Sequence, residues 1–124
     1  MRILVPTDGS EASLKAAQHA AGLVAASPGA ELHLLNVQPA LPSAVTTFIE
    51  ASVVKDFHRE EGEKEEAAAR QILADAGITP VLAIEVGRAA ERILAYAEEK
   101  GCTQIVMGTR GLSKIPSLIL GSVA

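Results

Sequence analysis

Four short apolar runs, separated by longer stretches of helical periodicity, set the tightest limit on how this chain can fold. The runs are Ile3-Leu4-Val5, Leu32 to Val37, Val81 to Val86 and Ile105-Val106-Met107. Apolar residues fall on both parities at several points, as in strands covered on both faces. Strands alternating with helices in this way imply a parallel sheet with helices on either side. With no Trp, one Tyr and two Phe among 124 residues, the core must be aliphatic.

Local signals place the helices. Ser10 follows the Asp8-Gly9 turn as an N-cap, and Glu11 puts negative charge in the first turn. That helix runs through Leu23 and Val24 and ends before Pro28-Gly29. A second is expected from about Asp56 to Ala76, with Gly77 as its stop. Its middle, His58 to Glu66, is crowded with Glu, Arg and Lys and reads as a solvated face. A third is expected from near Arg88 to Lys100, with Ile93, Leu94 and Ala97 inward and Gly101 closing it. The stretch Ser43 to Glu50, after Pro39 and Pro42, is ambiguous between an extra helix and a flap.

Composition removes several classes of function. A formal charge of −4 without a basic stripe argues against nucleic-acid binding. No apolar run approaches the roughly 20 residues of a membrane span, and the N-terminus lacks a secretion pattern. One cysteine, Cys102, rules out an internal disulfide and suits a reducing cytosol, so a cytoplasmic protein is expected. His19, His33 and His58 lie in separate elements without metal-site spacing. His33 reads as a satisfied interior or edge residue, and Cys102 as a structural thiol.

Chemistry concentrates after the last apolar run. Gly108 and Gly111 stand three apart there, and Gly121-Ser122 follow nine residues later. Glycines at a strand exit let bare N–H groups approach a ligand, and a helix mouth at Gly121-Ser122 would attract anions. Arg110 lies between the first two glycines, within reach of a terminal phosphate. In open parallel sheets ligands settle beyond the carboxyl ends of the strands. Pro6-Thr7-Asp8-Gly9-Ser10 leaving the first strand, and Val37-Gln38 at the tip of the second, should meet the Gly108 to Ser122 stretch there. Asp8 suits a sugar hydroxyl, an amine or a phosphate-bound metal; alone it reads as an Asx turn. Thr7 alone is simple turn chemistry, and Val37 alone is core or the floor under a flat ring. Neither a P-loop, nor a Gly-x-Gly-x-x-Gly turn, nor the clustered acids of a receiver domain is present.

On these residues the chain resembles the universal stress proteins of the nucleotide-binding type. Its opening, Ile3 to Ser10, matches that family's first strand and turn. Val86 to Ile93 matches the third crossover. Ile105 to Ser113, with Leu120 to Ala124, matches the Gly-x2-Gly-x9-Gly-Ser/Thr signature. The resemblance implies a Rossmann-like α/β/α domain of the adenine nucleotide alpha hydrolase type. Its four strands would lie in the order 3-2-1-4.

It also implies an ATP site with Mg2+ or Mn2+. Pro6, Thr7 and Asp8 would line the nucleoside, Val37 would contact adenine through its backbone, and Met107 and Gly108 would border the ribose. Gly111, Gly121, Ser122 and the Val123 amide would hold the phosphates. Members act as stress-response sensors or binding modules and commonly form homodimers. No catalytic residue is expected, and weak ATPase at most. A slow phosphotransfer enzyme and an interaction module without nucleotide are the rival readings.

Family members usually continue with a full fourth helix and a fifth strand. The expectation here is one domain, residues 1–124, lacking most of that helix and the last strand. Strand four would then be an open edge, and Gly121 to Ala124 a frayed helix stub.

Overall fold

A computed structural model describes residues 1–108 and the backbone of 121–123. The elements run β1 (Arg2–Pro6), α1 (Glu11–Ala26), β2 (Glu31–Gln38), α2 (Ser43–Thr46) and α3 (Ala51–Asp75). They continue with β3 (Val81–Val86), α4 (Ala89–Lys100), β4 (Gln104–Met107) and β5 (Gly121–Val123). The four long-separated strands are mutually parallel, in the expected order β3-β2-β1-β4. Burying β1 and most of β2 on both faces accounts for their near-continuous apolar sequences.

Alternation along each strand divides the core. Ile3, Val5, Leu32, Leu34 and Val106 face α1 and α3, where Ala16, Ala17, Ala20, Ala69 and Leu73 meet them. Leu4, Leu35, Ile105 and Met107 face the other way, against Ile93, Tyr96 and Ala97 of α4. Alanine lets α1 lie close to the sheet. His33, on the α4 side, is satisfied as expected: its Nδ1 bonds the Tyr96 hydroxyl at 2.7 Å and its Nε2 bonds Glu31. Burial pushes the Tyr96 phenol up to about 12. The hydroxyl therefore keeps its proton at neutral pH.

Three expectations change. Leu94 points out of α4 and is 42% exposed; Tyr96 takes the inward place instead. The charged middle of α3 is not wholly solvated, because His58, Gly62 and Glu66 continue the buried stripe of Ala69 and Leu73. Their spacing of three and four residues puts them on one helical face. The ambiguous stretch resolves as the single turn α2 followed by a break, and α3 begins five residues earlier than Asp56, at Ala51.

The end of the sheet differs as well. Gly121–Val123 pairs antiparallel with β4, matching Ile105 to Val123, Val106 to Ser122 and Met107 to Gly121. Along those residues β4 is not an open edge, and Gly121-Ser122 forms a strand rather than a frayed helix stub. The physical reason is the demand of main-chain N–H and C=O groups at a sheet edge for partners.

Candidate functional site

The carboxyl ends of β1, β2 and β4 enclose a cleft of about 190 Å³ on the α4 side of the sheet. Pro6, Thr7 and Asp8 supply one wall, Val37 and Leu35 another, and Met107 and Gly108 close it from β4. It lies beside β1, where the strand order reverses, the usual ligand position in an open α/β sheet. Ser10, expected here with the β1 exit, also lines it, while Leu35, Ser13, Ala89 and Ile93 were not foreseen from the sequence. Ser10 caps α1 and Ser13 lies in its first turn; Ala89 opens α4 and Ile93 follows one turn later.

A hydrogen-bonded network fixes the β1 exit. The Ser10 hydroxyl caps α1 by accepting from Ser13 N at 3.2 Å, and Ser13 Oγ donates back to the Ser10 carbonyl at 2.8 Å. With its only proton so used, Ser13 accepts from Thr7 Oγ1 at 2.9 Å. Thr7 Oγ1 in turn accepts from Gly9 N at 3.3 Å. On the other side, Asn36 Nδ2 donates to the Thr7 carbonyl at 2.8 Å and to Glu65 Oε1 at 2.9 Å. Gln38 Nε2 completes the run by donating to Asn36 Oδ1 at 2.8 Å. Thr7 is thus a buried brace, as the turn-chemistry reading had it, and its hydroxyl proton is committed within the protein.

Asp8 projects from this braced loop into solvent at the cleft mouth. Its Oδ1 accepts from Ser10 N at 2.9 Å, forming the Asx turn expected of it. Partial burial opposes its charge, but the Ser10 hydrogen bonds outweigh that and hold the carboxyl below its ordinary value. It is ionised at neutral pH and ready to accept a hydrogen bond. Gly9 next to it has φ +82°, and a Cβ there would lie 3.3 Å from the Glu65 carbonyl oxygen.

Gly108 turns out to serve assembly as well as access. A Cβ at this position would come within 2.4 Å of the Ala12 carbonyl oxygen and 2.6 Å of its carbon. Only a residue without a side chain lets the end of β4 pass the first turn of α1.

The structure therefore brings Pro6, Thr7, Asp8, Val37, Met107 and Gly108 together. Gly121 stands opposite Met107 in the sheet, which carries the third signature glycine to the β4 edge next to a cleft residue. Ser122 and Val123 follow it in β5. Arg110 and Gly111 lie outside the described residues. Among the described residues no group of three His, Cys, Asp or Glu side chains is placed to hold a metal ion. Cys102 lies away from the cleft, half-buried, and burial pushes its thiol up, as suits a structural role.

Comparison with known proteins fits this geometry. The model of the universal stress protein family matches residues 1–124. The chain belongs to the universal stress protein family. It is 33% identical over 125 residues to universal stress protein MJ0531 of Methanocaldococcus jannaschii, covering 99% of this chain and 72% of that protein. A family member from Burkholderia pseudomallei superposes with a TM-score of 0.71 at 26% identity, over 96% of this chain and 92% of its own. A universal stress protein solved in complex with cAMP superposes with a TM-score of 0.68 at 27% identity. That match covers 91% of this chain and 79% of the other. No helix among the described residues is long and apolar enough to cross a membrane.

Proposed function

We propose that this protein binds an adenine nucleotide in the β1–β2–β4 cleft and serves as a nucleotide-dependent stress-response module. The observation that carries the reading is the meeting of Pro6, Thr7, Asp8, Val37, Met107 and Gly108 in one cleft at the strand-order reversal. The related structure with cAMP gives the ligand class. Val37 and Ile93 offer apolar surface to a flat base, and ionised Asp8 accepts from a ribose hydroxyl. At about 190 Å³ the cleft falls below the roughly 300 Å³ at which whole small-molecule pockets begin. It suits the nucleoside, and the phosphates of ATP would extend past Gly108 toward Gly121, which stands opposite Met107 at the end of β4. A Mg2+ or Mn2+ ion carried on those phosphates needs few protein ligands, and Asp8 is the carboxylate within reach.

The described cleft residues support a reading of binding without rapid turnover. Asp8 is the one titratable group among the described cleft residues, and a carboxylate is far from the near-neutral pKa that suits a general base. The same reading takes the protein to be a cytoplasmic homodimer, which sedimentation of the nucleotide-loaded chain would measure.

Titration calorimetry with ATP and magnesium is the direct test. Saturable heat is expected, and Asp8→Ala should weaken binding about tenfold or more, from loss of a charged hydrogen bond. The absence of any heat or thermal shift at millimolar nucleotide would reject the proposal. Phosphate release above background, lost in Asp8→Ala, would favour an enzyme instead.

A further inference from the structure

A second concavity lies on the opposite side of the sheet, where the start of α3 faces the last residues of β3. It measures about 540 Å³, within the roughly 300–1,000 Å³ of small-molecule sites. Val54, Ile84 and Val86 give it apolar walls, while Lys55, His58 and Arg59 are the charged or titratable residues lining it. No carboxylate lines it, although the chain as a whole carries −4. None of its lining residues is shared with the nucleotide cleft.

His58 is the second observation. It is 5% exposed, and its Nδ1 has no hydrogen-bond partner among the described residues. An unmet buried polar atom costs about 1–3 kcal/mol, so a ligand that supplied the missing partner would recover that penalty. Lys55 makes no ion pair among the described residues. Arg59 meets Asp56 at 3.3 Å and Glu63 at 3.9 Å, but these are exposed contacts of little strength. Gly62, one turn beyond His58, leaves room for Ile84: a Cβ there would stand 2.7 Å from Ile84 Cδ1. The missing side chain seats α3 against β3 and keeps the apolar wall in place.

We infer that this groove binds a small amphipathic carboxylate. The apolar body lies along Val54, Ile84 and Val86, the carboxylate meets Lys55 and Arg59, and His58 contributes a hydrogen bond. Charge complementarity selects an anion over a neutral or cationic amphiphile of the same length. The site is independent of nucleotide binding and stands or falls separately from it.

Octanoate is a suitable probe, titrated into the 15N-labelled 124-residue chain and followed by amide chemical shifts. Saturable changes are expected around Ala51 to Arg59 and Ile84 to Val86, persisting with ATP present. Lys55→Glu should weaken octanoate at least tenfold, His58→Phe several-fold, and Ala51→Trp should block it; Lys55 and Ala51 are exposed, so those two variants keep the fold. Octylamine and octanol should bind at least tenfold more weakly. Equal response to all three amphiphiles, shifts mapping to Thr7–Ser13, unchanged affinity in Lys55→Glu, or no saturable change would each overturn the inference.

Discussion

Where β1 leaves the sheet, Thr7, Ser10, Ser13 and Asn36 are tied together by four hydrogen bonds, beside strand residues Ile3, Leu4 and Val5 that have no exposed surface. Along β3, at the far edge, Val81, Leu82 and Val86 stand 42–43% exposed, and among the described residues the strand is paired on one side only. Both strands are apolar in sequence. What separates them is position: a central strand can be braced from two helical layers, while an edge strand meets α3 at few points. The braced corner can hold a ligand's polar groups in fixed geometry, because its own groups are already positioned. The edge offers apolar area without direction, and only the charged start of α3 makes it selective.

Substitutions can break this contrast, starting where the largest loss is expected. Gly108→Ala should cost about 3 kcal/mol in urea unfolding, because its methyl would overlap the α1 backbone rather than a movable side chain. A loss under 1 kcal/mol would mean that β4 and α1 are not held as tightly as described.

Glu66, 1% exposed on the buried face of α3, gives the next effect. Burial raises its pKa from 4.5 to about 7, with Arg70 opposing and Glu63 adding to the rise. A carboxyl raised on folding holds its proton in the native state while the unfolded chain has lost it. Stability should then fall as pH rises from about 4.5 to about 7 and level off above. Glu66→Gln should flatten that slope and gain on the order of 2 kcal/mol at pH 8. Denaturation midpoints at pH 5 and pH 8 check both points.

Thr7→Val should cost about 1–2 kcal/mol, since it leaves Gly9 N without its partner and removes the donor to Ser13. At the edge, Leu82→Thr should change stability by less than about 0.5 kcal/mol. A larger loss there than in Thr7→Val would reverse the comparison.

The order of elements was legible because β1 and β4 carry unbroken apolar runs, β2 is apolar apart from His33 and Asn36 between Leu32 and Val37, and Ser10, Gly77 and Gly101 mark helix ends. The conjunction of Asp8 with Met107 and Gly108 was legible because parallel strands deliver their exits to one rim. The stripe of His58, Gly62 and Glu66 was hidden: its residues are polar or small, and a dense charge background masks a helical period. Ala69 and Leu73, in phase with them, were the available clue. The tie from Asn36 to Thr7 and Glu65 spans 29 residues each way and leaves no periodic trace. Pairing of Gly121–Val123 with β4 was missed because three residues with one β-branched side chain carry almost no strand signal.

The nesting of Gly108 against Ala12 also restricts how ligand preference in such a protein can drift. A new side chain at that glycine would disturb the join between β4 and α1 before it touched any bound molecule. Val37 and Ala89, which are not fully buried, are under no such restraint, so altered selectivity has to be written there.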